Sequence, residues 1–153
     1  MKVPSSIFIS VILSLIIISC SSNIKPLPQN VEASENPIKE CPNSPNCFRT
    51  TQYFDQDSSA VFSSIQSAIK ELNAHNIEIV DNSKTQSLDA VFKIPIFGWL
   101  DDVKIIVTPD KNNLNNTFVH LKSSSRKGYY DIGVNKRRIN RILKVARKKL
   151  TNK

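Results

Sequence analysis

The sequence predicts an α+β domain, an antiparallel sheet of three to four strands with two amphipathic helices packed on one face. Two observations predict it. Short stretches between residues 77 and 124 alternate apolar and polar side chains at the period of a half-buried strand. Longer stretches near 57–74 and 135–150 repeat apolar residues at helical spacing. Each set has one apolar face to hide, and packing helices on one side of the sheet hides both.

Taken in order, the chain opens with Lys2 and an apolar run from Ile7 to Ile18 broken by Ser10 and Ser14. That run is shorter than the roughly 20 residues of a membrane span and reads as an export signal over residues 1–19. It ends Ile17-Ile18-Ser19-Cys20, which resembles a bacterial lipobox, so Cys20 is the expected lipidation site and the first residue after cleavage. Buried acyl chains contribute about 0.8 kcal/mol per CH₂, and several on one residue make a stable membrane anchor. Ser21 is not the Asp of an inner-membrane retention signal, so an outer-membrane address facing the periplasm is expected. Residues 20–40, polar and punctuated by Pro26, Pro28 and Pro37, read as a flexible tether on the order of 25 Å long.

The domain is expected over residues 41–153. Cys41-Pro-Asn-Ser-Pro-Asn-Cys47 is turn chemistry between two cysteines. Outside the cytoplasm a disulfide is the first reading and a reduced pair the alternative. No zinc or redox site is expected, because paired CxxC spacing is missing. The first helix, about Asp57–Ala74, carries Val61, Phe62, Ile65, Ala68, Ile69 and Leu72 on one stripe, with Asp57 or Ser58 as its cap and His75 at its end. A short strand starts at Ile77 and Ile79, and a longer one covers Ser87–Ile94 up to Pro95. Phe97–Asp102 connects to a strand over Val103–Thr108, and a polar loop leads to Thr117–Ser124. That last strand places Val119 and Leu121 on one face and Phe118, His120 and Lys122 on the other, so His120 is expected to be exposed or to line a groove. The final helix, about Asn135–Leu150, has the narrow stripe Ile139, Ile142, Leu143, Ala146, Leu150 among Arg and Lys.

Charge is unevenly spread. The net charge is +8, and from Lys122 onward twelve basic residues face one acid, Asp131, leaving nine basic against twelve acidic residues before it. Such a bipolar chain suits an anionic surface or a solvated helix face. Nucleic acid fits the charge but not an exported, lipid-anchored protein, and none is expected.

Three blocks resemble the domain-of-unknown-function 1499 family: Cys41-Pro-Asn-Ser-Pro-Asn-Cys47, Phe97-Gly-Trp-Leu-Asp-Asp-Val103, and Ser124-Ser-Arg-Lys-Gly-Tyr-Tyr-Asp-Ile-Gly-Val-Asn-Lys-Arg-Arg-Ile139. The resemblance implies small envelope or organelle-associated proteins, often membrane-tethered. It supplies no catalytic residues and no cofactor.

The last block holds the functional question. Asn135 is the expected cap of the final helix, and Lys136, Arg137 and Arg138 follow it at an end that already carries partial positive charge. These cations need a counter-charge, either Asp101, Asp102 and Asp131 from within or a bound anion. The candidate cluster, an ion-pair network or an anion site, is Asp101, Asp102, Ser124, Ser125, Arg126, Asp131, Asn135, Arg137 and Arg138, with Ser123 and Lys127 beside it. An anionic envelope ligand, phospholipid, lipopolysaccharide or glycan, would suit it. The competing reading is an envelope hydrolase using Asp101 and Asp102 as acid and base with Ser125 or His120 nearby. No nucleophile elbow, HExxH or phosphate-cradling Gly-rich loop supports that reading.

Overall fold

A computed structural model describes residues 23–29, 35–81, 86–95 and 97–152. The expected export signal and the expected lipidation site Cys20 lie outside the described residues. Among the described residues seven elements follow in the order β1 (Cys47–Phe54), α1 (Ser58–Glu71), β2 (Asn76–Asp81), β3 (Gln86–Lys93), β4 (Leu100–Pro109), β5 (Thr117–Ser125) and α2 (Val134–Thr151). The class is α+β as expected, but the sheet has five strands, in the order β1-β5-β4-β3-β2, with every neighbouring pair antiparallel.

The additional strand is β1, which the alternation rule misses. Its helix-facing positions are Phe48, Thr50, Gln52 and Phe54, so the apolar period is broken by two polar residues. Gln52 is buried because the N-terminal segment serves it: its side-chain oxygen accepts from Lys25 N at 2.8 Å and its amide donates to Lys25 O at 3.0 Å.

Both helices cover one face of the sheet. Val61, Ile65 and Ile69 of α1 and Ile139, Ile142 and Leu143 of α2 pack with Leu88, Ile105, Val119 and Leu121 in a single core. Asp57 caps α1, its carboxylate accepting from Ala60 N at 2.9 Å. His75 is not a helix-end residue; α1 ends at Glu71, and His75 donates its backbone N–H to Val91 O as the chain enters β2.

The other face is partly covered from the N-terminal side. Asn36 donates to Thr50 O and Thr51 Oγ1, Lys122 Nζ reaches the carbonyls of Lys39 and Glu40, and Ile38 is buried. Both described parts of the stretch expected to be a tether therefore bond to the domain. This cover corrects the expectation for His120, which is 0% exposed. Its Nδ1 and Nε2 lie 3.0 Å from Thr51 Oγ1 and Thr108 Oγ1, and burial, then the nearby Arg49, pushes its pKa down to about 4.

Candidate functional site

Strand geometry decides how the predicted cluster is divided. Successive side chains on a strand point to opposite faces, so Asp101 and Asp102 part company within β4. Asp101 points under the helices and is fully buried. Asp102 points to the outer face, where Arg126 grips it with Nε at 3.0 Å from both carboxylate oxygens and Nη2 at 2.7 Å from one. That contact holds the Arg126 guanidinium in its charged form. Ser124 pairs with Asp102 in the β4–β5 register and shares its face.

Around Asp101 a buried network forms. Arg138 Nη2 donates to Asp101 Oδ2 at 2.5 Å, and its Nη1 donates to Ser123 Oγ at 3.0 Å and Asn135 Oδ1 at 2.9 Å. The Arg138 guanidinium also lies 5.2 Å from the centre of the Phe92 ring, within cation–π range. Ser123 Oγ donates to Asn135 Oδ1 at 2.5 Å, while Asn135 Nδ2 donates to Asn46 O, Ser125 Oγ and Asp131 Oδ2 at 2.7–3.0 Å. Asp101 Oδ1 has no partner among the described residues.

Asn135 is thus not the cap. It sits in the first turn with its side chain turned inward, and Gly133 takes the cap position at φ 72°, in the left-handed region that glycine occupies without strain. A Cβ at Gly133 would also press on Arg137 Nη1 at 3.2 Å. Asp131 does the capping, its carboxylate accepting from Gly133 N at 2.7 Å and Asn135 N at 2.8 Å, which sets a negative charge at the positive end of the helix.

The three cations at the start of α2 have three different partners. Arg138 meets Asp101, Arg137 donates to Ile132 O at 2.6 Å, and Lys136 sits 5.8 Å from the centre of the Phe48 ring. Beside them opens a cleft of about 500 Å³, bordered by Lys93, Ile94 and Pro95 on one side and Arg137, Arg138 and Arg141 on the other. Among the described residues no carboxylate pairs with Lys93, Arg137 or Arg141.

Three contributors, Asn46, Lys93 and Arg141, carry no site signal in the sequence. Asn46 read as turn chemistry, yet its carbonyl accepts from Ser125 N and Asn135 Nδ2 and its side chain donates to Gly128 O. Its neighbour Cys47 is bonded to Cys41, with Cα atoms 5.7 Å apart. Lys93 and Arg141, on separate elements, carried no spacing signal that would join them.

Comparison with known proteins bears out the resemblance of the three sequence blocks. A model of proteins of unknown function, DUF1499, matches residues 37–145. The chain belongs to the DUF1499 family. The family match begins at residue 37, so Ile38, Lys39 and Glu40 of the segment on the outer face lie within it. Among solved structures, the chain is similar to a Thermus thermophilus protein at 13% identity and TM-score 0.35, covering 69% of this chain and 97% of that one. It is also similar to a Nitrosospira multiformis protein at 13% identity and TM-score 0.36, covering 68% and 92%. Likenesses this distant carry no argument about function. Curated proteins gave no match.

Proposed function

We propose that this DUF1499 chain is a lipid-anchored envelope domain that binds rather than catalyses. It takes an anionic group in the cleft at the start of α2, and the single observation that carries this is the set of cations there, Lys93, Arg137 and Arg141, that have no carboxylate partner among the described residues. An anionic ligand would supply the counter-charge that the described residues do not, and Arg side chains suit phosphate or carboxylate oxygens. Export and acylation at Cys20 would place that cleft near lipid headgroups, lipopolysaccharide or glycan. The hydrolase reading has no geometry behind it: Asp101 and Asp102 face opposite sides of the sheet, and His120 is enclosed with both ring nitrogens engaged.

The test is thermal unfolding with glycerol phosphate or pyrophosphate. Selective binding to the folded state raises the midpoint, and the rise should vanish in Arg137→Ala/Arg141→Ala. An equal rise in that variant, or none in the wild type, overturns the reading. For the address, Cys20→Ser should release the protein from the membrane fraction and abolish acyl labelling.

A further inference from the structure

Arg126 N donates to Leu100 O, and Asp101 pairs with Ser125, so the β3–β4 connection and the loop before α2 emerge side by side at one end of the sheet. That end is studded with exposed apolar side chains. Phe97 and Trp99 stack at 4.8 Å on the first loop; Tyr129 and Tyr130 meet edge to face at 5.1 Å on the second. Ile132 is 85% exposed and holds φ at 51°, a left-handed conformation unfavourable to a β-branched residue. Strain kept at an exposed apolar side chain points to a use for that side chain outside the fold. Cations adjoin both loops: Lys93 lies against Gly98, between Phe97 and Trp99 in the chain, Arg137 donates to Ile132 O, and Lys127 precedes the tyrosines in the second loop.

We infer that this end is a membrane-docking face: Trp99, Phe97, Tyr130 and Ile132 enter the interface of a lipid bilayer while Lys127, Arg137 and Arg141 meet its anionic headgroups. Aromatic rings settle at the headgroup level, and nearby basic residues are attracted to an anionic leaflet. The N-terminal segment favours the same orientation. Asn23 N donates to Asn140 Oδ1, only six residues, about 9 Å, along α2 from its start. The three residues from Asn23 back to Cys20 reach at most about 11 Å, so an acyl anchor there is in range of this end. The inference rests on the acylation reading for its anchor alone.

Trp99 is the sole tryptophan of the chain and reports directly. Acylated full-length protein is reconstituted into vesicles of phosphatidylglycerol and phosphatidylethanolamine carrying shallow bromolipid, and Trp99 emission is read. Docking predicts a blue shift and about a twofold loss of emission, as for a ring at the interface. Ile132→Gly should weaken quenching while raising the thermal midpoint, since it removes the strain together with the side chain; a purely structural Ile132 would not move the two in opposite directions. Unquenched Trp99 in protein that still floats with the vesicles overturns the inference and leaves anchoring intact. Equal quenching in neutral phosphatidylcholine vesicles overturns it too, as does concentration-dependent shielding of Trp99 without lipid, which would mark a second copy as the occupant. Failure of the phosphate-shift assay with quenching retained sinks the cleft reading and not this one.

Discussion

Asp101 and Asp102 are neighbours in sequence, each faces an arginine, and the two pairs have opposite physical weight. Asp101 is 0% exposed and its partner Arg138 is 10% exposed at the side chain; Asp102 and Arg126 are about half exposed. Both contacts have good geometry, so the difference lies in the surroundings. A buried pair is screened little and becomes costly when half of it is removed, because a charge is left behind without water. An exposed pair exchanges one set of favourable contacts for solvation. The cations at the start of α2 therefore do not form one group: Arg138 is fastened within the fold, and Arg137 and Arg141 are exposed.

The largest effect should follow from breaking the buried side. Asp101→Ala leaves Arg138 buried against Phe92 and Ser123 without its carboxylate, and urea unfolding should show a loss of about 3–5 kcal/mol. Replacing both partners, Asp101→Leu with Arg138→Met, should recover most of that loss, because no unpaired charge remains.

The outer face sharpens the contrast through its own buried group, His120. Its folded pKa is depressed to about 4, so the folded state favours the neutral ring and binds fewer protons than the unfolded chain. Stability from this site is complete above the unfolded value near 6.5 and falls as the pH drops from there towards 4, by up to about 3 kcal/mol. The difference between wild-type and His120→Gln stability profiles over that window isolates it.

A smaller loss is expected from Cys41→Ser/Cys47→Ser. Opening the short loop should cost about 2 kcal/mol in chain entropy. Because Asn46 ties that loop to Ser125 and Asn135, amide exchange should quicken at the start of α2 before it does elsewhere. Smallest of all is Asp102→Ala, after which the unfolding midpoint should stay within its error, with or without added salt.

Much of this was legible in the sequence. The stripes of α1 and α2, and the alternation through β3, β4 and β5, announce a two-layer α+β domain because burial on one face imposes those periods. β1 was hidden because Thr50 and Gln52 face the helices, and Gln52 is satisfied by Lys25, a contact between residues far apart in the chain. The need of the α2 cations for a counter-charge points in the sequence to Asp101, Arg138, Asp131 and Asn135, and the structure joins these four with Ser123 and Ser125 by hydrogen bonds. Residue types alone do not give the strand register at Asp101–Asp102, so two carboxylates that face opposite sides look like one pair in the sequence. Residue type likewise points to Asn135 as the cap, where the positive φ of Gly133 hands capping to Asp131.

The most direct measurement is a pair of double-mutant cycles under one set of conditions, Asp101/Arg138 against Asp102/Arg126. The first pair should couple by roughly 2 kcal/mol or more, insensitive to salt, and the second by nothing outside error. Equal couplings, or a first coupling that disappears in high salt, would contradict this.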